Sequence, residues 1–475
     1  MANVALPQIS IDSSSSTPLY RQLAAGLRSA VALGSLRSGA RLPTTRSLAD
    51  QLGLGRNTTV EAYALLQAEG LLYSLGRLGT FVHSRDEPLA LHLLKTHAEP
   101  QLAQRLHVAA GSSSSAALDW RLGQASTQLL PLASWRAACK EAGRHLPPPH
   151  YGDPRGDAGL RDALRVWLQR QRGLEVDVNQ IIVTQGAAQA IELLAQLLVR
   201  AGDMCAVENP GYPRAAQSLL QAGGDVMGID VDDKGLVVAQ LAGGSRAPAL
   251  AHVTPAHQYP LGGRLSGPRR RQLLAFAKQH GTLIIENEYD YEFIHTGPNH
   301  APLFASAPEQ VVLVSTFAKA ISPSLRVGFI VAPRRIADGL AQLIEKEKRH
   351  VSWPVQISLR WLLQSGELER HLRRVRRHYL QLQKIVCNQL EQLAPHITVR
   401  GFEGGLHVVC VVRTRQMLFR IEQQLIKKNI WLDKLSAFEV LASRHAAILF
   451  GYGHMSKEEL ALAVNILARC LKRTT

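Results

Sequence analysis

Apolar residues recur every four positions at Leu19, Leu23, Leu27 and Val31, a spacing that predicts one helix with a single buried face. Gly34 and Gly39 end it and turn the chain. Pro43-Thr44-Thr45 is a start signal for a second helix running through Leu52, and Gly53-Leu54-Gly55 predicts a tight turn. A third helix is expected from about Arg56 to Glu69, with Val60, Tyr63 and Leu66 inward and a stop at Gly70. Leu71-Leu72-Tyr73 and Thr80-Phe81-Val82 then flank Gly76-Arg77-Leu78-Gly79, which reads as a hairpin. Helix, short turn and helix with such a wing is the arrangement of a winged helix-turn-helix, whose second helix enters the DNA major groove by its N-terminal end. That end carries Arg56-Asn57-Thr58-Thr59, four residues suited to phosphates or base edges, and Arg77 sits near the tip of the wing. Periodicity alone fits a generic three-helix bundle with a hairpin equally well.

The texture changes after His83. Residues 84–118 include Arg85-Asp86-Glu87-Pro88 and the run Gly111-Ser112-Ser113-Ser114-Ser115, which cannot bury apolar surface and reads as a linker. From Asp119 onward helical patterns alternate with short β-branched runs: Ile181-Ile182-Val183, Leu283-Ile284-Ile285 and Val311-Val312-Leu313-Val314. Strands alternating with helices predict an α/β domain on a mainly parallel sheet. The expected organisation is therefore a DNA-binding head over 1–83, a linker over 84–118 and a large domain over 119–475.

Composition narrows the class further. At 475 residues the chain exceeds one ordinary core, and no apolar run is long enough to span a bilayer. The N-terminus has no charged stretch followed by an apolar one, so a cytoplasmic protein without a signal peptide is expected. Five scattered cysteines offer no paired spacing for zinc or redox chemistry, and no metal is expected. A formal charge of +16 suits a polyanionic partner. The excess lies mostly outside the head: residues 1–85 hold eight arginines against four acids. Part of the remainder is the cluster Arg370, Arg373, Arg374, Arg376 and Arg377 on a predicted helix, read as a solvated face in preference to an auxiliary phosphate-binding surface.

Lys319 is the candidate for chemistry in the large domain. It follows the run Val311–Val314 through Ser315-Thr316-Phe317-Ala318, which places it at the carboxyl end of a strand, where open α/β sheets bind ligands. An amine among apolar groups is easier to deprotonate, as Schiff-base formation requires. Thr184-Gln185-Gly186-Ala187-Ala188 joins a strand to a helix, so backbone amides there are placed to hold a phosphate, with Thr316 and Arg326 as further donors.

Pro18-Leu19-Tyr20-Arg21-Gln22-Leu23, Leu42-Pro43-Thr44-Thr45-Arg46-Ser47-Leu48-Ala49, Arg56-Asn57-Thr58-Thr59-Val60 and Gly79-Thr80-Phe81-Val82 together resemble the GntR-type winged helix. The resemblance implies that Arg46, Arg56, Thr58 and Gly79 lie at or near double-stranded DNA. Downstream, Tyr151-Gly152-Asp153-Pro154-Arg155-Gly156, the Gly186 turn, Glu208-Asn209-Pro210-Gly211-Tyr212, His257-Gln258-Tyr259-Pro260-Leu261-Gly262, Glu286-Asn287-Glu288-Tyr289-Asp290 and Lys319 occur in the order of fold-type I aminotransferases that use pyridoxal 5′-phosphate (PLP). A GntR-type head on such a domain resembles the MocR subfamily of transcriptional regulators. This resemblance implies that Lys319 carries PLP as a Schiff base and that Gly186, Ala187, Thr316 and Arg326 bind its phosphate. It further implies that Tyr289 donates to the pyridine 3-oxygen, that Tyr212 and Arg214 lie near the ring or an effector, and that Tyr151 reaches the phosphate of the partner in a homodimer.

Three departures bear on chemistry. Where the subfamily pattern has an Asp for the pyridine nitrogen, this chain has Asn287, an amide that favours ring protonation far less. Glu286 and Glu288 are its neighbours, but adjacent strand residues point to opposite faces. Leu261 replaces a usual Thr or Ser, and Ile448-Leu449-Phe450-Gly451-Tyr452 is apolar where an aminotransferase keeps its carboxylate-gripping arginine, leaving Arg444 and Arg413 as substitutes. The reading that results is a DNA-binding regulator sensing PLP or an amine-bearing effector, with weak or absent transaminase activity. The alternatives are an aminotransferase with an accessory DNA-binding module, and a regulator whose large domain has lost PLP and only dimerises.

Overall fold

The computed structural model describes residues 9, 11–12, 15–36, 39–74, 79–82, 118–244, 246–294, 300–394, 396–401, 403–442 and 445–472. Arg77, Arg444 and nearly all of the expected linker lie outside these residues. The chain divides into two compact units, Met1–Ser114 and Ser115–Thr475.

In the first unit, α1 (Leu19–Ala32), α2 (Thr45–Leu52) and α3 (Arg56–Ala68) precede a hairpin of β1 (Leu72–Ser74) and β2 (Thr80–Val82). The Thr44 side chain accepts from Ser47 N at 3.2 Å and starts α2, while Gly53 takes the left-handed conformation (φ 64°) that ends it. Leu23 and Leu27 of α1, Leu48 of α2, and Ala62, Tyr63 and Leu66 of α3 form the core, closed below by Leu72 and Val82. The Tyr63 hydroxyl donates to Pro43 O at 2.9 Å, and Arg28 pairs with Glu69 at 2.6 Å across α1 and α3.

Two inward assignments on α3 need correction. Val60 is 44% exposed, because Thr59, Ala62, Tyr63 and Leu66 fill the inner face and Val60 falls on the turn opposite. Thr59, expected among the DNA-facing residues, is fully buried; its hydroxyl donates at 2.8 Å to Thr45 O or Arg56 O and so ties α2 to α3.

The second unit is built on an eight-stranded sheet. Its strands are β4 (Ile181–Thr184), β5 (Met204–Asn209), β6 (Asp225–Asp232), β7 (Gly235–Leu236), β8 (Leu250–Val253), β9 (Leu283–Glu288), β10 (Val311–Thr316) and β11 (Gly328–Val331), in the order β4-β11-β10-β9-β8-β5-β6-β7. The run from β10 to β6 is parallel; β11 is antiparallel to both neighbours, and β7 to β6. The expected mainly parallel sheet is thus present.

Both faces of this sheet are covered, and the period of two assigns each residue a side. Ile181, Val183, Ile284, Val311 and Leu313 enter one core, whereas Ile182, Ile285, Val312 and Val314 enter another, around the helices Ala187–Leu198 and Arg334–Glu347. The long helix Glu367–Glu391 leads to an antiparallel sheet of β12 (Thr398–Arg400), β13 (His407–Val411) and β15 (Ala447–Gly451), packed by Arg415–Lys427 and Lys457–Lys472. A parallel pair joins β3 (Leu118–Asp119) to β14 (Ile430–Trp431). Among the described residues, no helix is long and apolar enough to cross a membrane.

Candidate functional site

The carboxyl ends of β4, β5, β9 and β10 deliver their side chains to one pocket with a cavity volume of about 210 Å³. It is lined by Gly186, Ala187, Tyr212, Asn287, Tyr289, Thr316, Lys319 and Arg326, eight residues singled out in the sequence. Gln185, Ala188, Tyr259 and Pro323 line it too and were not picked.

Gly186 sits at φ 89° directly before the twelve-residue helix Ala187–Leu198. Glycine tolerates that backbone, and the turn leaves the first amides of the helix open toward the pocket. A side chain added there would come within 3.7 Å of Thr316 Oγ1, so the helix end and the end of β10 form one cradle. Arg326 occupies a left-handed conformation (φ 50°), and among the described residues its guanidinium has no hydrogen-bond partner. Open amides, a hydroxyl and a free guanidinium suit a phosphate group.

Burial pushes the Lys319 amine down to about 8, against the pull of Asp290 and Asp433. Its Nζ donates to the carbonyl of Gly123, and a side chain at position 123 would strike that amine. Nothing around Gly123 in the sequence announces this approach.

Asn287 lies on the β9 face shared with Ile285; Glu286 and Glu288 lie on the other. The carboxylate of Glu286 accepts from Leu303 N and Phe304 N at 2.8 and 3.0 Å, and Glu288 pairs with buried Arg172. Neither glutamate is available to the pocket. The Asn287 amide Nδ2 lies 3.4 Å from Nε2 of His252, whose imidazole burial holds neutral by lowering it to about 4. Asn287 Oδ1 is buried without a partner. An unsatisfied acceptor on a lining residue is complementary to an N–H such as that of a protonated pyridine, so the residues present fit PLP.

Tyr289 is half-buried and its hydroxyl is held well above its ordinary range, so it stays protonated; it lies 3.0 Å from His257 Nδ1, which is itself 2.7 Å from Asp290 Oδ2. Tyr259 packs edge-on against both Tyr212 and Tyr289, with ring centroids 5.9 and 5.1 Å apart.

Arg214 does not line this pocket, and neither does Tyr151, which is expected at the partner's. Arg214 is exposed and bonds Gln217 at 3.3 Å; Ala215, Ser218 and Leu219 take the inward face of its helix and turn it to solvent. Tyr151 is 66% exposed and rests on His350 at 5.5 Å, with the Lys348 amine 5.3 Å above its ring. The strand β15 is buried throughout and carries no arginine.

In the head, Arg46, Arg56 and Asn57 are exposed and Thr58 is half-buried. Arg46 and Arg56 have no ion-pair partner among the described residues. Gly79 has φ 114°, and a side chain there would meet the Arg41 guanidinium at 2.8 Å, so this glycine admits a cation against the wing.

Winged-helix head and lysine-floored body define a class: transcriptional regulators built on an enzyme fold. A model of the bacterial regulatory proteins of the gntR family matches residues 19–82, and one of aminotransferase class I and II matches residues 118–467. The chain is 32% identical over 411 residues to the probable rhizopine catabolism regulatory protein MocR of Rhizobium meliloti, covering 84% of this chain and 83% of that one. It is 34% identical over 445 residues, 94% of each chain, to the HTH-type pyridoxine biosynthesis transcriptional regulator PdxR of Corynebacterium glutamicum. An archaeal alanine:glyoxylate aminotransferase shares the fold with a TM-score of 0.70 at 22% identity, over 79% of this chain and 94% of that one. The chain belongs to the MocR subfamily of GntR-type transcriptional regulators.

Proposed function

We propose that this regulator holds PLP through Lys319 and that occupancy of the pocket, by PLP or by an amine that reacts with it, sets its hold on DNA. The observation that carries this reading is the depressed amine of Lys319 facing the same pocket as the Gly186–Ala188 amides, Thr316 and Arg326. PLP would bring an aldehyde for the amine and an electron-withdrawing ring. Lys319 supplies a nucleophile with an appreciable neutral fraction near pH 7; Arg326 and the helix end bind the phosphate; Tyr289 donates a hydrogen bond; Asn287 Oδ1 accepts one from the ring nitrogen. Tyr151, facing out of its own protomer, is assigned to the partner's phosphate in a homodimer.

Two observations favour a sensor over a transaminase. A neutral amide stabilises ring protonation less than a carboxylate, and β15 offers no guanidinium for an amino-acid carboxylate. Ligand binding shifts the paired heads only through different affinities for their two arrangements.

Purified protein incubated with PLP is expected to show a visible absorption band that is absent in Lys319→Ala. No band in the wild type, with the fold intact, leaves a domain that only dimerises. On the output side, Arg46→Ala and Arg56→Ala are each expected to weaken binding to duplex DNA and to lower the slope of log K against log salt by about 1. Unchanged slopes in both variants would remove these arginines from the DNA surface. Domains 1–83 and 119–475 would thereby serve as output and input, joined through 84–118.

A further inference from the structure

The cluster of arginines on the helix Glu367–Glu391 has no part in the pocket. Arg370, Arg373, Arg374, Arg376 and Arg377 together line one open depression. Two of the five are engaged within the protein. Arg370 pairs with Glu367 at 2.7 Å, and Arg376 donates to the backbone carbonyl of Glu292. The other three, Arg373, Arg374 and Arg377, are exposed and have no ion pair or hydrogen bond among the described residues.

Their arrangement follows from the helix. Leu368, Leu372, Val375 and Tyr379 are buried and fix the inner face. Arg373, Arg374 and Arg377 therefore share the outer one, at spacings of one, three and four residues. Arg373 and Arg377 stand just over one turn, about 6 Å, apart along the axis. A solvated face ordinarily mixes signs at these spacings, since like charges three or four residues apart destabilise a helix by a few tenths of a kcal/mol each. Here three cations adjoin, and the acids within reach lie only at the N-terminal end: Glu367, which acts on Arg374 but is already paired with Arg370, and Glu369, four residues before Arg373. Lys457, on the neighbouring helix, lies close enough to oppose protonation of His378 and adds to the same sign.

We propose that Arg373, Arg374 and Arg377 form a second contact surface for duplex DNA, gripping backbone phosphates without reading bases. A guanidinium matches phosphate oxygens bidentately and gives up little hydration to do so. The head that selects DNA contributes little of the chain's positive charge: eight arginines against four acids over residues 1–85, of a total of +16. Head and body are joined through residues 84–118, so a duplex held by the head is presented to the body at raised local concentration. The source of phosphate is thus the duplex the protein already binds, in preference to a membrane or free nucleotides.

The test uses the full-length protein and a 60-base-pair mixed-sequence duplex, with affinity measured between 50 and 200 mM salt. Each phosphate contact contributes about 0.9 to the slope of log K against log salt. The triple variant Arg373→Gln, Arg374→Gln, Arg377→Gln is expected to lower that slope by about 2.7 per protomer. Arg373→Lys, Arg374→Lys, Arg377→Lys, which keeps the charge, is expected to retain it. A control removing three exposed cations elsewhere, Lys278→Gln, Arg335→Gln and Lys346→Gln, is expected to leave it unchanged. An unaltered slope in the first variant overturns the proposal, as does an equal fall in the control, which would reduce the effect to net charge. Loss of binding to vesicles of mixed neutral and anionic phospholipid, with the DNA slope retained, also overturns it and gives the surface to membranes.

Discussion

Replacing Arg172 by methionine is expected to destabilise the large domain by about 3–5 kcal/mol, the usual cost of stranding one member of a buried ion pair. Arg172 and Glu288 have side chains only 8% and 2% exposed, and a second guanidinium nitrogen, Nη2, donates to Glu288 Oε1 at 2.7 Å. Burial alone would lower the pKa of the guanidinium, but Glu288 more than offsets it and the group is held above its ordinary value. The guanidinium also lies 4.0 Å over the Tyr291 ring, an additional cation–π contact. Urea midpoints measure the effect. The double variant Arg172→Met, Glu288→Leu is expected to recover most of the loss, since removing both charges leaves none unpaired. Equal instability of the single and double variants would mean that packing, and not the stranded carboxylate, carries the effect.

Arg326→Ala is expected to weaken PLP binding by about thirtyfold or more, the consequence of losing about 2–5 kcal/mol from a desolvated charged hydrogen bond. Titration with PLP, followed by the visible band, reads this directly. Pyridoxal, which lacks the phosphate, is expected to bind the variant and the wild type alike. A uniform loss for both ligands would place Arg326 in the architecture of the pocket; no loss for either would remove it from the phosphate site. The left-handed backbone at Arg326 makes the test sharper. Neither arginine nor alanine is at ease there, so the substitution changes the guanidinium while leaving the backbone strain much as it was.

The sheet was legible because its strands are continuous β-branched runs: β4 and β10 match their sequence runs to within two residues at each end, and β9 to within three. The parity argument on β9 was legible too: the alternation that put Asn287 and its two glutamate neighbours on opposite faces is a property of any strand. The occupations of Glu286 and Glu288 were not, since Arg172 and Leu303 are distant in sequence. Thr59 misled because Arg56-Asn57-Thr58-Thr59 reads as one polar string, whereas a helix turns about 100° per residue and takes the fourth member inside. Val60 misled for the reciprocal reason: an apolar residue on a helix is not thereby an inward one. Arg214 stands two residues from Tyr212 and close enough to act on its hydroxyl, but its own side chain is exposed. Tyr259 was inside a recognised motif and was passed over; its edge-on contacts with Tyr212 and Tyr289 depend on two other strand ends.

The unpartnered carbonyl of Asn287 carries a consequence about information more than about chemistry. On the proposed reading, a ring held by a neutral oxygen is a weaker electron sink than one held by a carboxylate, and slow turnover of a bound amine is expected. A receptor that does not consume its ligand reports concentration by reversible occupancy, and it resets when the concentration falls. A receptor that turned its ligand over would deplete the quantity it measures. If the pocket holds PLP as proposed, one nitrogen in place of one oxygen at the end of β9 favours a meter over a sink.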